Sequence, residues 1–399
     1  MDFDFNQSIK RTGTASSKWD GAAELFGSAD ILPMWVADMD FPAPSFVIEA
    51  MKERLEHGVM GYTFPSESYK ASVQGWMEHR HHWKVEADAI RFSPGIVPAL
   101  GMIVDAYTEA GDQVMIQPPV YPPFHGVVKE RGRELVLNPL QQDEAGHYTM
   151  DFADMENKLR DGKVKMLILC SPHNPVGRVW TREELTKVEA LCSQYNVLVV
   201  SDEIHEDLIL DPHAVHIPFA SLPGTAAEKS IICTAPSKTF NLAGLNTANV
   251  IIPDAEIREK FVARIAELHL SSITPMGAAA TEAAYNQGEA WLESLLDYIR
   301  GNAAYVQQYI QEHLPELKLQ IPEATYLLWM DFRALKMSNE DLTAFLVQQA
   351  RLGLNNGPTF GAEGEGFMRM NLACTRATVE EAMKRLDQAI TGWRASQTV

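Results

Sequence analysis

Lys238 is the residue of this sequence best placed for covalent chemistry. It lies in residues 235–245 (APSKTFNLAGL), directly after the apolar run 231–235, and its neighbours are small or apolar. Such surroundings disfavour the ammonium form, and a neutral amine is the form that attacks a carbonyl to give a Schiff base. On residue type alone, the alternative is a surface lysine whose stem covers apolar side chains.

Two polar residues at the ends of other apolar runs favour the chemical interpretation. Asn174 lies in the turn 171–177 (SPHNPVG), and Asp202 follows the apolar run 197–200. Taken singly, an Asn-Pro pair is usually a turn, and an aspartate after a strand is more often a helix cap. In an open parallel sheet, however, ligands bind beyond the carboxyl ends of the strands. We therefore expect Asn174, Asp202 and Lys238 to share one site.

The elements that would position these residues form an α/β pattern. From about residue 45 to 285, helix-length periodic segments alternate with short apolar runs, which is typical of a mostly parallel sheet flanked by helices. Strands are predicted at residues 113–117, 134–138, 164–170, 197–203 and 231–235. Thr181 and Glu184 form a capping box that opens a helix ending near Tyr195, so residues 164–203 make a βαβ unit.

After about residue 286 the regular alternation of helix-length segments and short apolar runs ends, and the pattern predicts a smaller α+β unit. Its predicted elements are a helix at 289–313, strands at 317–321, 326–332 and 367–373, and a helix from Ser338. The Gly-rich residues 357–366 are interpreted as a mobile loop.

The first 45 residues carry Pro33, Pro42 and Pro44 and little periodicity, which indicates an extended arm. The expected division is therefore an arm joining the small domain (1–45), a large domain (46–285) and a small C-terminal domain (286–399).

Composition excludes several classes of protein. The 399 residues contain 53 Asp and Glu against 34 Lys and Arg, and the net charge of −19 would repel a phosphate backbone, so nucleic acid is not expected as a partner. The longest apolar runs are far shorter than the roughly 20 residues of a membrane span, so no membrane is expected either. Four cysteines without C-x-x-C spacing and an acidic N-terminus without signal-peptide features predict a cytoplasmic protein.

A histidine-rich run at residues 78–83 (EHRHHW) is the only stretch that suggests metal ligands. Adjacent histidines on a helix point in different directions, so we interpret the run as a solvated face and predict no metal site.

The spacing of the three candidate residues resembles a known superfamily. Asn174 and Asp202 are 28 positions apart and Asp202 and Lys238 are 36 apart, as in the fold type I pyridoxal-phosphate enzymes of the class I/II aminotransferase superfamily. The resemblance implies a large domain with a mostly parallel, seven-stranded-type sheet. Three stretches look like the branch of C-S lyases of cystathionine β-lyase type: residues 32–41 (LPMWVADMDF), 201–205 (SDEIH) and 237–245 (SKTFNLAGL).

The resemblance implies roles for the residues at the strand ends. Lys238 would hold pyridoxal phosphate covalently and then, once released, move the substrate's α-proton. Asp202 would pair with the pyridine nitrogen and keep it protonated, so that the ring can accept electrons. Asn174 would donate to the ring oxygen O3′. Tyr121, in residues 118–123 (PPVYPP), matches the family's ring-stacking aromatic and is a further catalytic candidate.

The phosphate and the subunit partner follow from the same resemblance. Residues 93–98 (SPGIVP) place a glycine turn at a predicted helix start, where free N–H groups favour an anion, so Gly95, Ile96 and Val97 would bind the phosphate. Ser237 would add a hydroxyl. Tyr62 matches a tyrosine that in the family reaches in from the neighbouring subunit, which implies a homodimer.

Arg369 is the candidate for binding the substrate carboxylate. It stands among apolar neighbours in residues 368–373 (MRMNLA), which is costly for a cation unless it binds an anion. The alternative is a salt bridge to an internal acid. The resemblance assigns the α-carboxylate to Arg369 and places Ala37 at the substrate, with Arg376 as a poorer second candidate.

Two positions depart from many aminotransferases of the superfamily. His205 stands three residues after Asp202 where these have tyrosine, and its imidazole would face O3′ of the cofactor. Asn246 stands eight residues after Lys238 where these have an arginine that contacts the phosphate. Both differences look like the lyase branch.

The sequence therefore predicts a pyridoxal-phosphate-dependent C-S β-lyase. It would cleave L-cystathionine or related S-substituted cysteines by α,β-elimination to a thiol, pyruvate and ammonia. The nearest alternative is an aminotransferase acting on an amino acid and a keto acid, because one fold hosts both reactions. A more remote alternative is a non-catalytic regulatory protein that retains the fold.

Overall fold

A seven-stranded sheet forms the centre of the computed structural model, which describes residues 3–397. The strands are β1 (Leu32–Pro33), β2 (Ile90–Ser93), β3 (Gln113–Ile116), β4 (Glu134–Leu137), β5 (Gln141–Gln142), β6 (Tyr148–Thr149), β7 (Val164–Cys170), β8 (Leu198–Asp202), β9 (Ser230–Thr234), β10 (Ala248–Ile251), β11 (Lys318–Leu319), β12 (Leu327–Asp331), β13 (Leu352–Gly353), β14 (Asn355–Asn356) and β15 (Phe367–Asn371). The helices are α1 (Ala22–Phe26), α2 (Ser45–Glu56), α3 (Glu67–His81), α4 (Ile96–Tyr107), α5 (Pro123–Lys129), α6 (Phe152–Leu159), α7 (Arg182–Gln194), α8 (Pro236–Thr239), α9 (Ala255–Glu267), α10 (Pro275–Gln287), α11 (Glu289–His313), α12 (Asn339–Gln348) and α13 (Arg376–Gln397).

The strand order of the large sheet is β2-β10-β9-β8-β7-β3-β4. The neighbours from β9 to β4 pair in parallel, whereas β10 runs antiparallel to both β9 and β2. Strands β8 and β9 are almost entirely buried, since helices cover both faces of the sheet. The parallel strands therefore end at one edge, where polar residues after each strand can meet.

The predicted α/β class is confirmed, and most of the predicted strands differ from the observed ones by only one or two residues. The capping box also forms, because Thr181 Oγ1 accepts from the backbone of Glu184 while the Glu184 side chain accepts from the backbone of Thr181. The pattern missed β2 and β10, each only four residues long.

A four-stranded antiparallel sheet of order β11-β12-β15-β14 lies in the last part of the chain and shares a separate apolar core with α11, α12 and α13. Helix α11 has the predicted bounds. The N-terminal arm reaches this region, since β1 pairs in parallel with β13. Residues 357–366, interpreted above as a mobile loop, contain two short 3-10 helices, and the backbones of Gly357 and Gly364 lie close together.

Within residues 3–397, no helix is both long and apolar enough to cross a membrane.

Candidate functional site

A cavity of about 490 Å³ opens beyond the carboxyl ends of β7, β8 and β9. Of the twelve residues predicted for the site, all except Tyr62 line it. The lining members are Ala37, Gly95, Ile96, Val97, Tyr121, Asn174, Asp202, His205, Ser237, Lys238 and Arg369. The arm, both sheets and the start of α4 therefore meet at one place.

Lys238 belongs to the short helix α8, which follows β9 directly. Its Nζ donates to the backbone oxygen of Ala37 at 2.6 Å. Burial, followed by the nearby charge of Arg369, lowers the pKa of Lys238 to about 8, although Asp38 and Asp202 oppose this shift. The amine is thus accessible in its neutral form near physiological pH, as a lysine nucleophile requires.

Asp202 ends β8 and is fully buried, with 3% of its surface exposed. Its Oδ1 accepts from the backbone N–H of Ile204 at 3.2 Å. Burial raises the pKa of Asp202 to about 7, against the opposing influence of that hydrogen bond and of Lys238. A buried carboxyl with so few donors is suited to pair with a cationic group brought into the cavity.

Arg369 lies on β15, and its guanidinium is fixed by neutral oxygens. Nη1 donates to Asn174 Oδ1 at 3.0 Å, and Nη2 donates to Trp35 O at 3.0 Å and to Asn355 Oδ1 at 2.6 Å. Among residues 3–397 no carboxylate forms a salt bridge with it, so the alternative of an internal salt bridge is wrong. Its Nε is buried without a partner, and burial lowers the pKa of Arg369 to about 10. The group retains the capacity to bind an external carboxylate.

His205 is buried beneath the cavity, and its Nδ1 has no hydrogen-bond partner in the part of the chain described. Burial, and then the positive charges of Lys238 and Arg369, lower the pKa of His205 to about 3. The imidazole is therefore neutral and has an unused ring nitrogen.

The start of α4 forms the opposite end of the cavity. Gly95 precedes the helix with φ of 146°, in a region that favours glycine, and a Cβ there would lie 3.4 Å from Pro98. Ile96 and Val97 begin the helix, so their N–H groups have no intrahelical acceptor. With Ser237 across the cavity, this end fits an anion.

Tyr121 lies between these two ends. Burial raises the pKa of Tyr121, with Asp202 adding to the shift, so the hydroxyl stays protonated. Its ring packs edge-on against Phe124 at a centroid distance of 5.9 Å.

Two sequence candidates lie outside the cavity. The Tyr62 side chain is fully exposed, and Val59, Met60 and Phe64 near it are more than half exposed. Arg376, the second carboxylate candidate, donates to Asn302 Oδ1 at 2.8 Å and stacks on Tyr305 instead.

Three residues of the site were missed by the sequence interpretation. Trp35 and Asn355 supply oxygens to Arg369, and the hydroxyl of Tyr326 donates to the Ala37 oxygen at 3.0 Å. Trp35 lies in the quoted stretch 32–41, which was the available signal. No spacing in the sequence indicates Asn355 or Tyr326.

A second polar cluster lies behind the cavity, around Asp207. This carboxylate accepts from His81 Nε2 at 2.8 Å, from Thr239 Oγ1 at 2.7 Å and from Trp76 Nε1 at 3.1 Å. The interpretation of residues 78–83 as a solvated face is therefore wrong for His81, which is buried. Atoms of His81, Glu206 and Asp207 lie within 4.8 Å of one another, as for a metal site, but donors already occupy both oxygens of Asp207.

The fold and the site define a member of the fold type I pyridoxal-phosphate class, as the sequence resemblance indicated. The chain belongs to the class I and II aminotransferase family, whose model matches residues 29–386.

The chain is also similar over nearly its whole length to a cystathionine beta-lyase and to two enzymes of known structure. The chain is 47% identical to cystathionine beta-lyase PatB of Bacillus subtilis, over 97% of this chain and 99% of that protein. Cystalysin from Treponema denticola, whose structure contains pyridoxal 5′-phosphate, is 38% identical with a TM-score of 0.96, over 98% of this chain and 100% of that one. The pyridoxal-phosphate-bound C-S lyase of Staphylococcus hominis is 31% identical with a TM-score of 0.90, over 98% of each chain.

Proposed function

We propose that the protein is a pyridoxal-phosphate-dependent C-S β-lyase. It converts L-cystathionine or a related S-substituted cysteine, together with water, into a thiol, pyruvate and ammonia. The observation that carries the proposal is the buried Lys238, placed in one cavity with an underused carboxyl and a guanidinium that has no acidic partner. The lyases to which the chain is similar over nearly its whole length support the same reaction.

The cavity fits the cofactor at each of its polar ends. Lys238 Nζ would be the attachment atom, Asp202 would pair with the pyridine nitrogen, and Asn174 and His205 would hold the ring oxygen O3′. The unpartnered His205 Nδ1 and the sparsely bonded Asp202 support this assignment, because buried polar groups without partners are rare unless a ligand supplies them. When bound, pyridoxal phosphate supplies an electron sink for the negative charge that develops at the substrate's α-carbon.

The start of α4 would hold the phosphate. The N–H groups of Gly95, Ile96 and Val97 and the hydroxyl of Ser237 would donate to it, and the helix dipole favours a negative charge there. Asn246 also lines the cavity here. It brings no charge, so the helix start carries most of the neutralisation.

Arg369 and Lys238 act on the substrate. Arg369 binds the α-carboxylate through its free Nε and a neighbouring Nη, with Ala37 next to the substrate, and so fixes the α-carbon. Lys238, once its amine is free, takes the α-proton at Nζ, which a pKa near 8 permits. Tyr121 would stack on the ring, and its protonated hydroxyl would be available to donate a proton to the departing thiolate.

A homodimer completes the site. Tyr62 and its neighbours Val59, Met60 and Phe64 form an exposed apolar segment, residues 59–64, which a second copy would cover while Tyr62 enters the partner's cavity. Phe64→Asp should give monomers in sedimentation velocity. Val215→Asp, an equally exposed apolar position elsewhere, is the matched control and should leave the dimer intact. A wild-type monomer would overturn this part of the proposal.

The remaining assignments follow the same scheme. The proposed division is an arm (1–45) that joins the small domain (286–399) and a large domain (46–285) that carries the cofactor. The reducing cytoplasm is the proposed compartment, since the four cysteines are free and buried.

The decisive experiment measures pyruvate and free thiol released from L-cystathionine by purified protein with added pyridoxal phosphate and without a keto acid. Equal and continuing release of both supports the lyase, and Lys238→Ala should abolish it together with the visible absorbance of the bound cofactor. Turnover only after a keto acid is added would instead identify an aminotransferase. A protein that binds no cofactor would be a non-catalytic relative.

A further inference from the structure

The backbone oxygen of Ala37 receives two donors in the site. Lys238 Nζ donates to it at 2.6 Å and the hydroxyl of Tyr326 donates at 3.0 Å. A carbonyl oxygen has two lone pairs and can accept both hydrogen bonds at once. Each bond reduces the negative charge available to the other, so each is weaker than it would be alone. The environment of the lysine amine therefore includes the phenol of Tyr326, the residue before β12, which lies just outside the cavity.

The acceptor is held in place by side chains on its flanking peptides. Asn371 Nδ2 donates to the oxygens of Val36 and Asp38, each at 2.6 Å, and Arg369 donates to Trp35 O. Because the peptides before and after Ala37 are fixed, the Ala37 oxygen is a rigid reference point for the lysine.

Tyr326 is brought to this point by a strained residue. Thr325 has φ of 75°, which is unfavourable for a β-branched side chain. Its N–H donates to Leu208 O at 2.7 Å, and its Oγ1 accepts from the N–H of Leu327 at 3.1 Å. Strain of this kind persists where the surroundings enforce it, and it clusters at functional sites.

The charged and titratable groups around the amine come from several elements. They are Asp38 on the arm, Asp202 on β8, His205 after β8 and Arg369 on β15. Tyr326 adds an uncharged donor to this set, because burial raises the pKa of its hydroxyl.

We propose that Tyr326 is a positioning residue for the reacting lysine, and that by sharing the Ala37 oxygen it keeps the free Lys238 amine weakly held and ready to act. This inference rests on the role proposed above for Lys238. Without the Tyr326 hydroxyl, the Ala37 oxygen would serve Lys238 alone and would bind its ammonium form more strongly. The pKa of Lys238 should then rise by about half a unit, the scale of one redistributed hydrogen bond.

The test compares Tyr326→Phe with wild type by two measurements. In the full chain freed of cofactor, the pH dependence of Lys238 acetylation by acetic anhydride, read by peptide mass mapping, should shift upward by about half a unit. In the holoenzyme, the acidic limb of the kcat profile should move by the same amount, since it reports the base of the substrate complex. Tyr107→Phe removes a hydroxyl that likewise donates to a backbone oxygen, that of Ile257 at 2.5 Å, and should shift neither profile.

An unchanged labelling profile in folded Tyr326→Phe, or an equal shift in Tyr107→Phe, would overturn the inference. If Tyr326→Phe does not fold, Tyr326→Leu, which also lacks the hydroxyl donor to Ala37 O, should shift the labelling profile in the same direction. No shift in Tyr326→Leu would then count against the inference. Failure of the proposed function is separate, because it would appear as wild-type protein that does not attach the cofactor at Lys238.

Discussion

Two fully buried aspartates, five positions apart, have opposite environments. Asp202 faces the cavity, accepts from one backbone N–H and has its pKa raised to about 7. Asp207 lies behind the cavity and has its pKa lowered. Burial alone would raise the pKa of Asp207, but donors such as His81 and the charge of Arg80 outweigh it.

The comparison distinguishes Asp202, a carboxyl with unused hydrogen-bonding capacity, from Asp207, a carboxyl whose hydrogen bonds join elements of the fold. The Asp207 oxygens are filled by residues of α3 and by Thr239, the neighbour of Lys238, so this cluster joins α3 to the helix that carries the lysine. Unused hydrogen-bonding capacity in a buried group, rather than burial itself, marks the functional residue.

The largest expected effect is on folding. Asp207→Asn should lower the free energy of unfolding by about 3 kcal/mol, because the buried donors of His81, Trp76 and Thr239 lose their charged acceptor and would share one neutral amide oxygen. Urea denaturation measures this loss. Asp297→Asn removes an exposed partner of Arg300 and should cost less than about 1 kcal/mol. Similar losses in the two variants would show that the Asp207 cluster stabilises the fold no more than an exposed ion pair does.

Asp202→Asn should have the opposite effect: activity should fall while stability is retained. Its unfolding free energy should not fall below that of wild type, whereas kcat for thiol release should fall roughly 100-fold, since a charge-assisted bond to the cofactor is lost. Steady-state kinetics beside urea denaturation distinguish these effects. A loss of stability as large as that of Asp207→Asn would break the comparison.

The raised pKa of Asp202 makes a prediction about pH for the cofactor-free protein. Between about pH 4 and about pH 7 the folded carboxyl is protonated while the unfolded one is not, so stability falls as pH rises through this window. Relative to Asp202→Asn, wild type should lose about 2 kcal/mol from about pH 5 to about pH 7. Urea unfolding of both proteins at the two pH values measures this, and a wild type whose stability is constant or rises relative to Asp202→Asn from about pH 5 to about pH 7 would contradict it.

The smallest effect concerns the link between the two regions. Thr239→Val removes one donor to Asp207 and should cost about 1 kcal/mol, with broadened near-UV dichroism of the bound cofactor as the lysine helix loosens. Thr239→Ser keeps the hydroxyl and should restore the spectrum. Equal behaviour of valine and serine would show that the hydroxyl is not the link.

Sequence reasoning located the strand ends because buried parallel strands read as continuous apolar runs with polar residues after them. Asn174, Asp202 and Lys238 were predictable for this reason, and the cavity does bring them together. The edge strand β2 and the antiparallel β10 were missed because Arg91 and Asn249 interrupt their apolar runs, whereas β3 and β4, of the same length, each contain three consecutive apolar residues.

Contacts between distant segments could not be read from the pattern. Arg369 was recognised as a costly buried cation, but its neutral oxygens come from the arm, the turn after β7 and β14. The position of Tyr326 depends on the positive φ of Thr325, which tertiary contacts impose and residue type disfavours. His81 was misjudged because its partner Asp207 lies 126 positions away.

The hydrogen bonds of the Ala37 segment also have a consequence for the order in which the chain folds. Ala37 is separated from Lys238 by 201 positions and from Tyr326 by 289, and Val36 is separated from Asn371 by 335. On the ribosome, the N-terminal arm therefore emerges long before its partners exist. The large sheet can pair first, but the Ala37 segment is anchored only when Asn371 of β15 has been synthesised, and a nascent chain that stalls before β15 also lacks Arg369.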